Sequence, residues 1–372
     1  MSEISERSAR WAATMGGFSA SEVVLAHHDS RPGLGARTRE GQPVPRTRTA
    51  RETREADLLV EGASLAQGAG RRERAEEPDE VRTCFERDRD RILHSSAFRR
   101  LAGKTQVFVF PEDHVRTRLT HALEVAQVAT GISRALGLNE ALTEAIALGH
   151  DCGHGPGGHA SEEALDVFVP GGFDHAPWGA RVSLASLNLC EETLDGIANH
   201  SWSRPAPATL EGEVVSWADR IAYVCHDFED AQSVGLVTPD QLPSLVRTTA
   251  GERRGAQLGA FIGAVVSTAA ERGVIGMDEH HAEALAEFRA FNYEQIYLTG
   301  PAREQARAVI DMLQALVEYY RASPEQIPDF AGGDAQHAAV AYVAGMTDRF
   351  ACRRALEQLG WSPERLPSAL DH

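Results

Sequence analysis

Lysine is almost absent from this 372-residue sequence: Lys104 is the single lysine, and every other basic side chain is arginine. Cysteine is scarce too, and the five cysteines form no CxxC pair. This argues against a disulfide framework or a zinc–thiolate site and indicates a reducing compartment. No apolar run is long enough to span a membrane, and the charged first residues lack the apolar core of a secretory signal. We therefore expect a cytoplasmic protein without a membrane partner.

Two common site motifs are also missing. There is no GxxxxGK[ST] loop, so a P-loop nucleotide site is not indicated, and there is no GxSxG nucleophile elbow. The net charge of −17 argues against nucleic acid as the main partner. Hydrophobic residues at 42% and charged residues at 24% are typical of a globular protein.

Composition and periodicity divide the chain into three regions. Residues 19–84 contain no Phe, Trp or Tyr, and such a segment has too little apolar surface to offset the entropy of ordering. We therefore predict an extended, partly mobile N-terminal arm over residues 1–80. Helical periodicity begins at about residue 81. It predicts a helical core over residues 81–232 and a C-terminal helical region, residues 233–372, packed on that core.

The spacing of apolar residues predicts a mainly α-helical fold. Helices are predicted at residues 119–136, from Asn139 as N-cap to about 149, and at 213–230, 253–271, 279–291, 301–321 and 334–357. The helix at 213–230 carries a stripe that we expect to face the core, formed by Val214, Trp217, Ala218, Ile221, Cys225 and Phe228.

Histidines are concentrated in the predicted core, where eight of the fifteen lie between His114 and His226. The pair His150-Asp151 ends a predicted helix, where the chain bends and both side chains can turn towards one metal ion. His121 on the preceding helix and Asp219 on a later one would complete a set of two imidazoles and two carboxylates. Such a set suits a divalent cation and leaves positions for water and a phosphate oxygen. The alternative is a group of core histidines paired with nearby carboxylates.

Short stretches around these residues carry a family resemblance. They are Arg89–Leu101, Lys104–Phe108, Arg116–His121, His150–His159, Gly196–His200 and Ala218–Asp227. Together with the H…HD…D order of the four candidate ligands, they resemble HD-domain deoxynucleoside triphosphate triphosphohydrolases of the bacterial dGTPase-like branch. Two stretches depart from that pattern: Gly-Pro-Gly-Gly follows His154, and Ala-Pro-Trp follows His175.

The resemblance implies an all-α HD-domain helical core with additional C-terminal helices and an extended N-terminal arm. It also implies metal-dependent hydrolysis of dNTPs, dGTP or several, to deoxynucleoside and inorganic triphosphate. The metal ligands would be His121, His150, Asp151 and Asp219, and Mn, Mg, Fe, Co, Ni and Zn are all compatible with them.

Catalytic roles follow from the same resemblance. His154 and Glu162 are the implied catalytic pair, in which the carboxylate orients an imidazole that acts as base. His159 is a candidate acid for the leaving 5′ oxygen, and His175 a second imidazole near the phosphates. A hydrogen-bonded structural histidine is the alternative for each of these imidazoles.

Substrate-binding residues are predicted partly from position. Arg118 lies one helical turn before His121 and Arg220 follows Asp219, so either guanidinium can bind a phosphate beside the metal. The single lysine has two interpretations: position 104 requires a compact ammonium group, or a lysine codon has survived there by chance. By resemblance, Tyr223 packs under the sugar, and Asp227 and Gln106 bind the 3′-hydroxyl.

Two other functions stay open. One is an HD-domain phosphohydrolase acting on nucleoside monophosphates or (p)ppGpp, and the other is a non-catalytic nucleotide sensor on the same scaffold. The expected partners are a dNTP substrate and further copies of the chain in a homo-oligomer. A nucleotide effector is a further open question.

Overall fold

The structure is a computed structural model and describes residues 5–14, 16–20, 22–30, 46–110 and 114–367. These residues form sixteen α-helices and one two-stranded sheet, which confirms the predicted all-α class. The chain divides into two compact units, Met1–Arg46 and Thr47–His372. Residues 31–45, which belong to the predicted N-terminal arm, lie outside the described residues.

The first unit contains helix α1, Glu6–Thr14, and an antiparallel pair of strands, β1 (Phe18–Ala20) and β2 (Val23–Leu25). Phe18 lies opposite Leu25 in the register. Among the described residues, the β-strands are the two strands of this short hairpin.

The second unit is built from helices. They are α2 (Arg48–Leu58), α3 (Cys84–His94), α4 (Ser96–Arg100), α5 (Arg118–Leu136), α6 (Glu140–Gly149), α7 (Ala160–Asp166), α8 (His175–Trp178), α9 (Glu191–Asn199), α10 (Leu210–Ser233), α11 (Ser244–Thr249), α12 (Arg254–Arg272), α13 (Glu279–Asn292), α14 (Gly300–Ala322), α15 (Ala335–Ala344) and α16 (Asp348–Leu359). None of these described helices is both long and apolar enough to cross a bilayer.

Most of the predicted helices are confirmed, with ends that shift by a few residues. Helix α5 ends at Gly137, which adopts the left-handed conformation (φ 71°) that favours glycine. Asn139 caps α6, because its side chain accepts a hydrogen bond from the backbone N–H of Leu142 at 3.2 Å. In α10 the predicted stripe is buried, apart from the half-buried Trp217.

The single helix predicted over residues 334–357 is wrong, because two helices, α15 and α16, occupy this stretch. They are separated by residues 345–347. Gly345 is a poor helix former, and Thr347 is the N-cap residue of the next helix. The break lets buried Asp348 accept hydrogen bonds from Thr105 (2.6 Å) and from the backbone of Gly157 (2.8 Å). Periodicity alone does not detect such a break.

Residues 47–80, which the sequence assigns to the arm, belong to the second compact unit. Buried polar contacts hold them there. The guanidinium of Arg72 is 1% exposed and pairs with Asp88 of α3, and Ser64 donates to Glu211 of α10 at 2.9 Å. The segment is thus ordered without aromatic residues, which its composition could not reveal. A domain boundary at residue 80 stays a prediction.

Two hydrophobic clusters form the core of the second unit. The larger one packs α3, α5, α6, α9 and α10 together and buries Val125, Ile146 and Phe228 almost completely. The smaller one joins α7 to α14, α15 and α16 around Leu165 and Leu313. Side chains that project from α5, α6 and α10 are therefore held on rigid, packed helices.

Replacing Asp88 by Ala should destabilise the protein strongly. Asp88 accepts hydrogen bonds from Arg72, from the backbone of Cys190 (2.8 Å) and from Thr193 (2.8 Å). Its loss would leave the buried donors of Cys190 and Thr193 without an acceptor and Arg72 with Glu76 as its remaining carboxylate partner, which together cost about 3–5 kcal/mol of unfolding free energy. Urea unfolding measures this loss. The control is Asp90→Ala, because Asp90 makes partly exposed ion pairs worth about 0–1 kcal/mol. Equal stability of the two variants would contradict the prediction.

Candidate metal centre

Three helices bring the four candidate metal ligands together. His121 lies in the first turn of α5, and Asp219 lies in the middle of α10. Helix α6 ends at Gly149, so His150 and Asp151 occupy the bend directly after it. The close packing of α5, α6 and α10 directs these side chains to one point.

The described distances bring the four side chains close together, and one ligand atom each from His121, His150 and Asp219 lies within 4.8 Å of the other two. The Nε2 atom of His121 is 3.1 Å from Oδ1 of Asp219 and 3.9 Å from Oδ2 of Asp151. The Nε2 atom of His150 is 3.7 Å from Oδ1 of Asp219 and 3.5 Å from Oδ1 of Asp151. His121, His150 and Asp151 are all buried. Whether they are metal ligands stays a prediction.

The hydrogen bonds of His150 fit a divalent cation. Its Nδ1 lies 2.6 Å from the carbonyl oxygen of Ala147, and a carbonyl only accepts, so Nδ1 carries the hydrogen. The opposite atom, Nε2, is buried and has no hydrogen-bond partner. Metal-binding histidines typically donate the N–H of one ring nitrogen to an acceptor such as this carbonyl. That hydrogen bond fixes the ring and leaves the other nitrogen free for the metal.

Charges in the centre favour ionised carboxylates. Burial would raise the pKa of Asp151, but the guanidinium of Arg118 and the neighbouring imidazoles hold that pKa well below its ordinary value. Burial also opposes ionisation of Asp219, whose pKa is nevertheless lowered by the hydrogen bond with His121. Two anionic carboxylates beside two imidazoles form a donor set suited to a divalent cation.

Arg118 lies beside the centre with unused donors. Its Nη1 donates to Oδ2 of Asp151 at 2.6 Å. Its Nε and Nη2 are buried without hydrogen-bond partners. Buried unpaired donors are costly, and these two atoms are available as donors to a ligand. Gln106 similarly has a buried Oε1 without a partner.

His154 faces the centre from the loop that follows α6. Gly153 permits this path, because a Cβ there would lie 1.9 Å from the carbonyl oxygen of His175. The Nε2 atom of His154 is 3.2 Å from Oδ1 of Asp151. Its Nδ1 is buried and has no hydrogen-bond partner. Since the ionised Asp151 only accepts, Nε2 carries the hydrogen, and Nδ1 of the neutral ring has a free lone pair.

Glu162 contacts His175, whereas the sequence predicts that it pairs with His154. Both the backbone N–H (3.2 Å) and the ring Nδ1 of His175 face its carboxylate. Helix α8 begins at His175 and so presents both groups to α7. Burial would raise the pKa of Glu162, but the nearby imidazoles of His159 and His175 lower it. The ring of His175 stacks on that of His154 at 3.7 Å between centroids.

His159 lies at the edge of the site. Its side chain is 76% exposed, and its Nδ1 is 3.9 Å from Oε2 of Glu162. Its ring makes an edge contact with that of His154, with centroids 5.4 Å apart. This position is accessible to a ligand that enters from solvent.

His200 lies beside the centre, and the sequence patterns did not assign it a role there. It follows α9 as His150 follows α6, and its Nδ1 similarly faces the carbonyl of Ile197 at 2.8 Å. Burial and the nearby His150 and His175 lower its pKa to about 3. The stretch Gly196–His200 resembles the corresponding stretch of the family. This resemblance is the feature of the sequence that could have identified His200.

Two of the predicted sugar-binding residues, Tyr223 and Asp227, follow Asp219 on α10 and contact the C-terminal region. The hydroxyl of Tyr223 accepts from Arg289 at 2.8 Å, and buried Asp227 accepts from the hydroxyl of Tyr297. Arg220 lies with its guanidinium 3.5 Å from the ring centroid of Trp202. Its Nε is buried without a partner.

The ammonium group of Lys104 is engaged by backbone carbonyls of the protein. Its side chain is buried, and its Nζ donates to the carbonyl oxygens of His154 and of Ala344, the latter at 2.9 Å. Burial, with a contribution from Arg100, lowers its pKa to about 7. The single lysine therefore holds the loop of His154 against the end of α15, and these contacts favour a structural role over contact with substrate.

Two family models match the chain: the HD domain over residues 118–224 and the phosphohydrolase-associated domain over residues 275–356. Among curated relatives, a deoxyguanosinetriphosphate triphosphohydrolase-like protein of Caldanaerobacter subterraneus is 42% identical over 81% of this chain and 92% of its own. One of Desulfatibacillum aliphaticivorans is 40% identical over 82% of this chain and 95% of its own. A solved structure of a hypothetical protein from Aquifex aeolicus is 20% identical, with a TM-score of 0.48, over 75% of this chain and 69% of that one.

The fold and the site define an HD-domain phosphohydrolase. Because relatives with about two-fifths identity align over most of both chains, the chain belongs to the deoxyguanosinetriphosphate triphosphohydrolase-like family. The resemblance expected from the sequence is thereby confirmed.

Proposed function

We propose that the protein hydrolyses dNTPs, dGTP or several of them, to deoxynucleoside and inorganic triphosphate with a divalent cation. The convergence of His121, His150, Asp151 and Asp219, with Nε2 of His150 left without a partner, is the observation that carries the proposal. The names of the curated relatives, which refer to deoxyguanosine triphosphate, support the substrate class.

The four ligands would hold the cation, which when bound polarises a phosphate oxygen and lowers the pKa of water. His154 accepts the proton of the attacking water at Nδ1, the atom with the free lone pair. Asp151 accepts from Nε2 of the same ring and keeps it oriented. His175, hydrogen-bonded to Glu162, lies against that ring and restricts its rotation. Glu162 thus acts on His154 through His175.

Substrate binding would use the unpaired donors beside the centre. Arg118 offers Nε and Nη2 to phosphate oxygens while Asp151 holds its Nη1. Arg220, which stacks on Trp202, is placed to bind a phosphate farther from the cation. His159, exposed at the edge, is the candidate donor to the leaving 5′ oxygen.

The sugar would bind farther along α10. Tyr223 and Asp227 follow Asp219 by four and eight residues, or about 6 and 12 Å along the helix axis. Asp227 and the free Oε1 of Gln106 would accept from the 3′-hydroxyl, and the ring of Tyr223 would crowd a 2′-hydroxyl. A site that pairs one hydroxyl and excludes another discriminates strongly between sugars.

The released anion tests this proposal. Each dNTP, singly and in mixtures, is incubated with the protein and a panel of divalent metals, and the products are separated by ion chromatography. We expect triphosphate in equal amount with deoxynucleoside. Phosphate or pyrophosphate would identify a different phosphohydrolase activity, and binding without turnover would identify a nucleotide sensor. Stimulation by a second dNTP would reveal an effector site, which stays a prediction, as does the homo-oligomer.

A further inference from the structure

Helix α10 has an accessible face beside the candidate metal centre. Ser216, Trp217, Asp219, Arg220 and Tyr223 are half-buried, whereas the helix positions between them are buried. Arg220 follows Asp219 directly and lies one helical turn after Ser216. A ligand on this face can therefore reach both the carboxylate of Asp219 and the guanidinium of Arg220.

Within the described part of the chain, no carboxylate holds the guanidinium of Arg220. It forms no ion pair within 4.0 Å there, and its buried Nε has no hydrogen-bond partner. Arg118 differs, because its Nη1 donates to Asp151 at 2.6 Å. An arginine that is ordered only when the ligand binds loses much rotamer freedom at that moment, which weakens binding. A different contact is needed to order Arg220 beforehand.

The ring of Trp202 supplies this contact. The guanidinium carbon of Arg220 lies 3.5 Å from the centroid of the indole ring, well within the range of a cation–π interaction. Trp202 belongs to the loop after α9, and it is 45% exposed. Burial in the core therefore does not account for its position.

Helix α10 itself fixes the indole. Nε1 of Trp202 donates to the carbonyl oxygen of Ser216 at 3.1 Å. The ring of Trp217 meets the indole edge-on, with centroids 4.7 Å apart and planes at 76°, an arrangement that aromatic pairs favour. Trp202 is thus held by the same stretch of helix that carries Arg220, and one face of its ring is presented to the guanidinium.

We propose that Trp202 is a positioning residue that holds the guanidinium of Arg220 ready for a phosphate of the substrate. The inference rests on the proposed function, in which Arg220 binds a phosphate. The N–H donors of a guanidinium lie in its plane, so a ring stacked on that plane leaves them free. A carboxylate partner would occupy those donors and offset the charge. Stacking on Trp202 orders the side chain without either loss.

Steady-state kinetics of triphosphate release tests this role. Trp202→Ala should raise KM for a dNTP about tenfold and change kcat by less than about twofold, because Arg220 would bind the ground state and the transition state alike. Trp202→Phe keeps an aromatic face and should recover most of the loss. Trp202→Ala should add little in the Arg220→Ala background, since no guanidinium is left to position. Additive effects of the two substitutions would overturn the proposal.

Binding of inorganic triphosphate, measured by calorimetry in the presence of Mn²⁺, separates positioning from contact with the nucleoside. Trp202→Ala should weaken this binding by about the same factor as it raises KM. Unchanged triphosphate affinity beside a raised KM would show that Trp202 contacts the nucleoside and would overturn the positioning role.

The chain offers a matched control in Trp361, whose ring centroid lies 3.5 Å from the guanidinium of Arg365. Trp361→Ala removes a stack of the same geometry after α16 and should keep the wild-type KM. A wild-type protein that hydrolyses dNTPs and a Trp202→Ala variant with the same KM would overturn this inference alone. A wild-type protein that neither hydrolyses dNTPs nor binds triphosphate would overturn the proposed function as well.

Discussion

Replacing His154 by Ala should leave the metal content unchanged and reduce turnover by about 10²–10⁴-fold, the usual contribution of a general base. The basis is the position of Nδ1, which is buried, has no hydrogen-bond partner and lies on a ring held by Asp151 and His175. His154 is not among the four candidate ligands of the cation. Its loss should therefore lower kcat with little change in bound metal.

Steady-state kinetics of triphosphate release, with metal content measured on the same samples, checks this prediction. The matched control is His94→Ala, which removes an exposed imidazole and should retain wild-type kcat. Wild-type turnover by His154→Ala would show that another group accepts the proton. Loss of metal from this variant would show that His154 is a ligand and would change its assigned role.

Asp151→Ala should abolish both metal binding and activity and should also destabilise the metal-free protein. Asp151 lies within 4 Å of both His121 and His150 in the candidate metal centre, and its Oδ2 accepts from Arg118 at 2.6 Å. The guanidinium of Arg118 is buried. Removing its partner leaves a buried charge uncompensated, which costs about 3–5 kcal/mol of unfolding free energy.

Elemental analysis, triphosphate release and urea unfolding of chelator-treated samples measure the three effects separately. Glu163→Ala is the control, because Glu163 is an exposed carboxylate on α7 whose removal should change none of them appreciably. Full metal content in Asp151→Ala would refute its role as a ligand. Unchanged stability of the metal-free variant would mean that Arg118 is already well solvated without its partner.

Local sequence patterns predicted the helices that carry the site. The spacing of apolar residues located α5, α6 and α10, and Asn139 marked the start of α6. The adjacent His150 and Asp151 at a helix end indicated a cation site, because a bend lets neighbouring side chains converge. These features depend on residues within a few positions of one another, so they can be read from the chain directly.

Contacts between distant segments could not be predicted in the same way. Lys104 and Ala344 are 240 residues apart, and no periodic pattern relates them. The pairing of Glu162 with His175 depends on how α8 approaches α7, and the proximity of His175 to His200 depends on where α9 ends. For each of these side chains the sequence indicated the type of group but not its partner.

Helical periodicity and short motifs are local properties of the chain, so they predicted an all-α fold, the family and the residue types of a candidate cation-binding centre. The contacts between atoms emerged from the packing of the helices: the free Nδ1 of His154, the burial of Lys104 and the contacts of His175 with Glu162 and His200. Packing sets these distances and removes water, and those two factors determine which polar atoms are left to bind a ligand.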